Sequence, residues 1–351
     1  MNTQKTTHKM KRNIVWILTI VMLSELLGLA SMSSAVEDTW TRKTNLITSR
    51  CRHSSCVVDG TIYVFGGYDG IRWNVASVEA YHTATDTWTN KIDMPTGRHA
   101  LSTSVVNGII YAIGGWEGGP LSTVEAYNPT IGKWVKKANM PTARAYLSTG
   151  VVDGKIYAIG GWRGDPQAAG LSTVEEYDSA TDTWTKKADM PTARSGFSAS
   201  VVDGKIYAIG GVVTNRVLVS TVEVYDPATD TWTEKADMPT ARGRISTSVV
   251  DGKIYAIGGL DNAFWGLSTV EMYDSSTDTW TKKSDMPTAR GFLSASAVKG
   301  KIYAIDGGTG GGDAPPLKEG VVEEYDTGFV PKGIDAKGKL PTTWGKIKRS
   351  K

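Results

Sequence analysis

Residues 194–235 read RSGFSASVVDGKIYAIGGVVTNRVLVSTVEVYDPATDTWTEK. The stretch contains four short segments rich in β-branched and aromatic residues, which is typical of β-strands separated by turns. Asp203 and Gly204 join the first two segments as a two-residue type I′ hairpin turn, because both tolerate the positive φ that this turn needs. The stretch therefore predicts a four-stranded antiparallel sheet, whose strands we name a (198–202), b (205–210), c (220–225) and d (231–235).

The same spacing recurs six times in the 351-residue chain. An Arg follows each strand-d Trp by ten residues, and a Gly pair begins sixteen residues after each Arg. A repeat of about 48 residues with four strands has the size of one β-propeller blade. The Trp are Trp40, Trp88, Trp134, Trp184, Trp232 and Trp280; the Arg are Arg50, Arg98, Arg144, Arg194, Arg242 and Arg290; the Gly pairs begin at Gly66, Gly114, Gly160, Gly210, Gly258 and, with a substitution, Asp306.

Strand c carries a Val-Glu-x-Tyr motif in each repeat, and in five of the six repeats a Trp follows the Tyr by seven residues. The Tyr are Tyr81, Tyr127, Tyr177, Tyr225, Tyr273 and Tyr325. The paired glycines, the strand-c Tyr and the Trp spaced from it resemble the kelch repeat over residues 38–326. This resemblance implies an all-β fold, a six-bladed kelch-type β-propeller.

The sixth repeat lacks a strand d, because no Trp stands seven residues after Tyr325. Residues 38–43, which read DTWTRK, precede Arg50 with the spacing of a strand d. We expect this N-terminal strand to close the last blade, which would pair the bare edge of its sheet. The alternative is closure by residues 342–346 of the tail, which read TTWGK.

The N-terminus has the features of an export signal. Four basic residues precede an apolar run over residues 14–29, and small residues follow it up to Ala35. The run is shorter than the roughly 20 residues of a membrane-spanning helix, so we expect a cleaved signal peptide at 1–35, with a retained anchor as the alternative. The protein is then secreted, periplasmic or on the cell surface, with no stable membrane span after cleavage, a propeller at 36–326 and a basic, flexible C-terminal tail at 327–351.

Charge argues against nucleic acid as a partner. The chain has a formal net charge of +3, but the positive charge is concentrated in the signal region and in the tail. The propeller itself is acidic on balance, which disfavours binding to phosphate backbones. Two cysteines, Cys51 and Cys56, fall in what we expect to be one strand, where their side chains would point to opposite faces and not pair.

Features shared by all six repeats are best explained as scaffold. Six Glu on strand c match the six Arg one for one, which predicts repeated ion pairs because partly buried charges need partners. A functional ring of Arg or Glu is the alternative. The Tyr and Trp are expected to pack between sheets. The Glu are Glu79, Glu125, Glu175, Glu223, Glu271 and Glu323.

The candidate binding site is on the face that carries the b-to-c loops, which we call the b-to-c face. These loops absorb all length variation between repeats, and insertions in repeat proteins tend to map to the binding face. The alternative is that their aromatics only cap the blades. Candidate loop residues are Arg72, Trp73, Trp116, Glu117, Trp162, Arg163, Asp165, Asn215, Arg216, Asp261, Phe264 and Trp265; the d-to-a connections on the same face add Arg52, His53, His99, Tyr146, Arg244 and Phe292.

No metalloprotease, CxxC or nucleophile-elbow motif occurs, so no catalytic residue, metal or cofactor is expected. We interpret the chain as an extracytoplasmic module that binds a protein or a glycan. The alternative is a carbohydrate isomerase similar to the sialic acid mutarotases among kelch propellers, which needs only acid–base groups. Its candidate residues are Glu117, Asp165, Arg163, Arg216 and Arg244.

Overall fold

A computed structural model describes residues 38–165, 170–311 and 314–329. These residues form 24 strands and one 3₁₀ turn at Thr214–Arg216. Within the same ranges no helix has the length and hydropathy needed to cross a bilayer. The expected signal peptide lies outside the described residues, as does the basic tail from residue 330 onward. The first three residues of the expected tail, 327–329, are not flexible as predicted: the Thr327 hydroxyl donates to the Gly300 carbonyl, and Phe329 packs against the core between blades 5 and 6.

The strands form six antiparallel sheets of four strands, each one blade, as the sequence predicts. Blade 1 is β2 (Ser54–Val58), β3 (Thr61–Phe65), β4 (Val78–His82) and β5 (Thr87–Lys91); blade 2 is β6 (Ser102–Val106), β7 (Ile109–Ile113), β8 (Val124–Asn128) and β9 (Lys133–Lys136); blade 3 is β10 (Ser148–Val152), β11 (Lys155–Ile159), β12 (Val174–Asp178) and β13 (Thr183–Lys187). Blade 4 is β14 (Ser198–Val202), β15 (Lys205–Ile209), β16 (Val222–Asp226) and β17 (Thr231–Lys235); blade 5 is β18 (Ser246–Val250), β19 (Lys253–Ile257), β20 (Val270–Asp274) and β21 (Thr279–Lys283); blade 6 is β22 (Ser294–Val298), β23 (Lys301–Ile305), β24 (Val322–Asp326) and β1 (Thr39–Arg42).

The N-terminal strand closes the ring, as expected. β1 pairs antiparallel with β24, and Trp40 lies opposite Tyr325 in the register that Trp and Tyr keep in the other blades. The edge of β24 that the tail would need is therefore occupied by β1. Residues 342–346, the alternative closing strand, lie outside the described residues.

The hydrophobic core consists of six clusters, each between two neighbouring blades. Between blades 3 and 4, for example, Ile159 and Val174 pack with Ile206 and Tyr225. The strand-c tyrosines are almost fully buried in these clusters, and the strand-d tryptophans pack on them with ring centroids 4.8–5.1 Å apart. Both residue types therefore pack between sheets, as predicted.

Polar contacts fasten the outer edge of each seam between blades. In every blade the strand-d Trp Nε1 donates to a backbone carbonyl of the preceding blade, as Trp232 does to Ala188 at 3.0 Å. In five blades the Asp two residues before the strand-d Trp, such as Asp230, also accepts from the Tyr hydroxyl of its own blade and from a backbone N–H across the seam. Blade 2 has Gly132 at this position and offers no such acceptor.

All six predicted Arg–Glu ion pairs are present, which confirms their scaffold interpretation. Each guanidinium is fully buried and its Glu partner nearly so, with N–O distances of 2.7 Å for Arg144–Glu175 and 2.8 Å for Arg242–Glu271. The Arg also donates to carbonyls of strand b and the b-to-c loop, as Arg242 does to Ala256 and Thr269. Each pair thereby ties a d-to-a connection to strands b and c of its own blade. The other pairs are Arg50–Glu79, Arg98–Glu125, Arg194–Glu223 and Arg290–Glu323.

The expectation that both cysteines share one strand is wrong. Cys56 lies in β2, but Cys51 precedes that strand and is separated from it by Arg52, whose φ of 58° breaks the extended backbone. The alternation of side chains along a strand therefore does not relate the two residues. Both thiols are free, and Cys51 is buried.

Candidate functional site

Six residues surround the propeller axis, each two positions after a buried Arg; we call them the axial ring. All six have φ between 53° and 58°. Each backbone N–H donates to the carbonyl of the ring residue in the preceding blade, at 2.6–3.0 Å, so the hydrogen bonds run in a closed circle. The ring is thus symmetric in its backbone and pins the six blades together at the axis. Its members are Arg52, Ala100, Tyr146, Gly196, Arg244 and Phe292.

The side chains of the axial ring are not symmetric. The Arg244 guanidinium carbon lies 3.8 Å from the centre of the Tyr146 ring and 5.5 Å from that of Phe292. It occupies the space above Gly196, where a Cβ would come within 2.2 Å of Arg244 Nη1. The absence of a side chain at Gly196 therefore determines where Arg244 can lie.

An open cavity of about 370 Å³ lies at the axis on the b-to-c face. Its size falls in the range of small-ligand sites, roughly 300–1,000 Å³. None of its described lining residues is Asp, Glu or His. The lining is Arg52, Trp73, Tyr146, Trp162, Gly170, Ser195, Val212, Val213, Asn215, Arg216, Arg244, Leu260, Phe264, Phe292 and Gly311.

Arginine side chains and aromatic rings form much of the cavity lining. The Arg52 guanidinium lies 5.0 Å from the Trp73 ring and 4.8 Å from the Phe292 ring, at cation–π distances. Trp73 stacks on Tyr68 with centroids 4.1 Å apart. Because Arg52, Arg216 and Arg244 all line the cavity, it presents positive charge beside flat apolar surfaces. This arrangement suits a ligand with an anionic group and a ring.

Two histidines lie near the axis but are poor bases. Burial, reinforced by the charge of Arg52, lowers the pKa of His99 to about 4, and its Nδ1 donates to the Trp73 carbonyl at 2.8 Å. Burial and the charge of Arg50 lower the pKa of His53 to about 3. His53 lines a smaller cavity of about 90 Å³ along the channel, among residues such as Leu101 and Leu147. Both imidazoles are therefore neutral at pH 7.

Nine of the eighteen candidate residues line the axial cavity. Four belong to the axial ring, on the d-to-a side, and five come from the b-to-c loops. The nine are Arg52, Tyr146, Arg244, Phe292, Trp73, Trp162, Asn215, Arg216 and Phe264.

The other nine candidates, His53 and Asp261 among them, do not line the cavity. Arg72 forms an exposed ion pair with Asp69, and Trp116 stacks on Trp162 with centroids 5.3 Å apart. The Asp165 carbonyl accepts from Trp162 Nε1, and His99 packs between Trp73 and Tyr146. Glu117, Arg163 and Trp265 are exposed. The acidic candidates for acid–base chemistry, Glu117 and Asp165, are thus not brought into the cavity.

Sequence reasoning missed Gly196, Ser195, Val212 and Leu260. The six-fold spacing contains a signal for Gly196, since it stands two residues after Arg194, where other blades have Arg52, Tyr146 or Arg244. At this position the backbone conformation is the same in all six blades but the side chains differ, so these side chains can give a symmetric ring its ligand specificity. No comparable signal marks Val212 or Leu260, which are small apolar residues in loops of variable length.

Six four-stranded sheets around a hydrogen-bonded axial ring define the class of this protein as a six-bladed kelch-type propeller. A family model described as the KLHDC2/KLHL20/DRC7 Kelch-repeats domain matches residues 25–211 and 162–312. The chain therefore belongs to the kelch-repeat family. A search of curated proteins gives no match.

A solved structure described as "Structure of YjhT" is similar to this chain, with a TM-score of 0.67. The two share 16% sequence identity, and the alignment covers 79% of this chain and 95% of the other. At this level of identity the likeness shows the fold alone.

Proposed function

We propose that this protein is an extracytoplasmic binding module that recognises a protein or glycan ligand through the b-to-c face. Kelch-repeat propellers are generally interaction scaffolds. The observation that supports the proposal best is the axial cavity, which combines three arginines with five aromatic rings. Arg and aromatic residues supply most of the binding energy at recognition sites. The export signal expected at 1–35 supports a location outside the cytoplasm.

The composition of the cavity favours binding over acid–base catalysis. General acid–base chemistry needs a group whose pKa lies near the working pH. The described lining contains no carboxylate or imidazole, and the nearby His99 has a pKa of about 4. Arginine guanidinium groups keep their proton at neutral pH. The site is therefore equipped to hold a ligand rather than to exchange its protons.

A glycan array probed with the protein and two variants tests this function. Trp162→Ala removes an aromatic wall of the cavity, whereas Trp265→Ala removes a Trp on the same face that is 67% exposed and does not line it. We expect Trp162→Ala to lose the ligand and Trp265→Ala to keep it, with melting curves confirming that both are folded. Loss in both variants would move the site to the outer rim. If the folded protein binds no glycan, a pull-down with extracellular proteins and the same variants tests whether the ligand is a protein. If no protein is bound either, the proposal is wrong.

The second candidate function is a carbohydrate isomerase. It is favoured by one observation, the convergence of charged side chains on the axis, which an enzyme acting on a small sugar requires. The sugars retained on the array are the substrates to test, by following anomer exchange with NMR. Acceleration that disappears with Arg244→Met would make this candidate the function.

A further inference from the structure

Arg244 differs from the six buried arginines of the scaffold in what it contacts. Each scaffold Arg has a Glu partner, whereas no described carboxylate forms an ion pair with Arg244. Its Nη1 is shielded from solvent and has no hydrogen-bond partner among the described residues. A buried charged donor without an acceptor is costly. The chain bears this cost at a position that lines the axial cavity.

The position of Arg244 is fixed by its neighbours in the axial ring. The guanidinium rests on the Tyr146 ring at 3.8 Å, the separation of stacked planar groups, and it fills the space above Gly196. Its positive charge persists at neutral pH, since burial lowers the pKa of Arg244 only to about 10. Arg244 as a whole stays partly exposed and lines the axial cavity, so the result is a preorganised cation that a ligand in the cavity can reach.

Building on the proposed function, we propose that Arg244 binds a carboxylate carried on a ring-shaped ligand in the axial cavity, and that Gly196 is the specificity-determining residue that lets Arg244 take this position. A guanidinium fork matches the two coplanar oxygens of a carboxylate. The aromatic walls, among them Trp162 and Phe264, provide flat surfaces on which the attached ring stacks. The cavity volume of about 370 Å³ has room for a one- or two-ring ligand.

The ring that carries the carboxylate can come from two sources, an aromatic acid or a sugar acid. Two matched pairs of probes separate the charge from the ring: benzoate against benzamide, and glucuronate against glucose. Binding is measured by saturation-transfer NMR at concentrations up to about 10 mM, since ligands with so few atoms bind in the millimolar range. We expect at least one acid to bind about tenfold or more tightly than its neutral counterpart, and the pair that shows this identifies the source.

Three variants test the residues. Arg244→Met should weaken the binding acid by about tenfold or more, because it removes the charged donor. Gly196→Ala keeps the charge but displaces Arg244, and we expect a similar loss. Gly204→Ala is the matched control in the same blade: its φ is +71°, close to the +57° of Gly196, but a Cβ there meets no atom within 4 Å. This control should bind the acid as the unaltered protein does.

Several outcomes would overturn the inference. One is binding of benzamide or glucose as tightly as the acids; if Trp162→Ala abolishes that binding, the cavity of the proposed function stands and only its anion preference fails. A second is unchanged acid binding in folded Arg244→Met. A third is equal loss in Gly196→Ala and Gly204→Ala, which would make the effect one of backbone strain. Binding of none of the four probes to the folded protein would also reject the assignment.

Discussion

At the seams between blades the same side chains recur at the same positions, whereas at the axial ring one backbone conformation carries five different residue types. The outer seams repeat a Trp-to-carbonyl hydrogen bond in all six blades, as from Trp88 and Trp280. The axial ring repeats only its hydrogen-bonded backbone. Repetition of side chains therefore marks what every blade needs to pack, and repetition of backbone alone marks where the molecule can vary its chemistry.

This comparison assigns opposite consequences to substitutions in the two regions. A change in a repeated side chain should cost stability and leave ligand chemistry alone once the fold is kept. A change in the side chains of the axial ring should alter binding at small cost in stability. The predictions below test this division, beginning with the largest expected effect.

Removal of the closing strand should have the largest effect. Deleting residues 38–43 removes β1, the Trp40 ring that packs on Tyr325 at 5.0 Å, and the Asp38 acceptor at the blade 5–blade 6 seam. Truncation of a fully buried Trp costs roughly 3–5 kcal/mol. Trp40 is only partly buried, but the deletion also removes a whole strand with its hydrogen bonds, so we expect the free energy of unfolding to fall by at least about 3 kcal/mol. Urea titration measures it. Trp344→Ala, in the alternative closing segment, serves as the control; a large loss in Trp344→Ala with none in the deletion would reverse the closure.

Two arginines provide the most direct test of the comparison. Arg194→Met leaves the buried Glu223 without its partner, and breaking such a pair costs about 3–5 kcal/mol. Arg244→Met leaves no carboxylate behind, because Arg244 forms no ion pair among the described residues. We expect its cost to be within about 1 kcal/mol, the range of substitutions that strand no partner. Chemical denaturation of both variants gives the two values. Equal losses would mean that Arg244 is also scaffold.

The blades and their closure were predictable because they rest on fixed spacings between residues that every repeat shares. The Arg–Glu pairs were predictable because the six repeated Arg are matched by six Glu on strand c. The axial cavity was not predictable in the same way. Arg244 lies against Tyr146, from a blade two positions away in the ring, and its placement depends on the bare Cα of Gly196. The spacing of residues along the chain does not tell how far apart their side chains lie across the axis. The sequence therefore could not distinguish the residues that line the cavity from loop residues that do not, such as Glu117 and Trp265.

Asp306, like Gly132, departs from a repeated pattern, since the other five blades have Gly at its position. Its φ is 42°, its Oδ2 accepts from the Arg50 backbone N–H, and its Oδ1 is buried without a partner among the described residues. Burial raises the pKa of Asp306 to about 7. The folded-state pKa then exceeds the unfolded value of about 4. The group therefore favours folding fully below pH 4, and this contribution is lost as pH rises through 7.

Asp306→Gly removes this pH-dependent penalty and also the acceptor of the Arg50 N–H. The difference in unfolding free energy between the variant and the unaltered chain should therefore shift in favour of the variant by a few kcal/mol between about pH 4 and 7 and stay constant above. Thermal melts at several pH values measure this difference. Asp203→Gly is the control, an exposed Asp with a similar positive φ of 50°. If the difference in melting temperature between Asp306→Gly and the unaltered protein is the same at every pH in this range, the buried carboxyl of Asp306 does not cause the pH dependence.

The smallest expected effect concerns the seam between blades 1 and 2, where Gly132 replaces the Asp that the other five blades use. The Gly132 φ of 60° lies within the 54–64° of those five Asp, so the backbone already suits the substitution. A Cβ at this position meets only Ile92 Cδ1, at an ordinary 3.6 Å. Gly132→Asp should therefore gain an acceptor for Tyr127 and for the blade 1 backbone, as Asp182 provides for Tyr177 and Ala138 in blade 3.

One such charge-assisted contact is worth about 1 kcal/mol after desolvation, which should raise the melting temperature by about 2 °C in a protein of more than 250 residues. The reverse change, Asp182→Gly, should lower it by a similar or larger amount, because it also leaves the Tyr177 hydroxyl and the Ala138 N–H without their acceptor. Differential scanning calorimetry resolves both shifts. If Gly132→Asp does not stabilise the protein while Asp182→Gly destabilises it, the polar contact is dispensable between blades 1 and 2 although it is needed between blades 2 and 3. The rule that repeated side chains belong to the scaffold and varied ones to the axial ring would then not hold at the seam between blades 1 and 2.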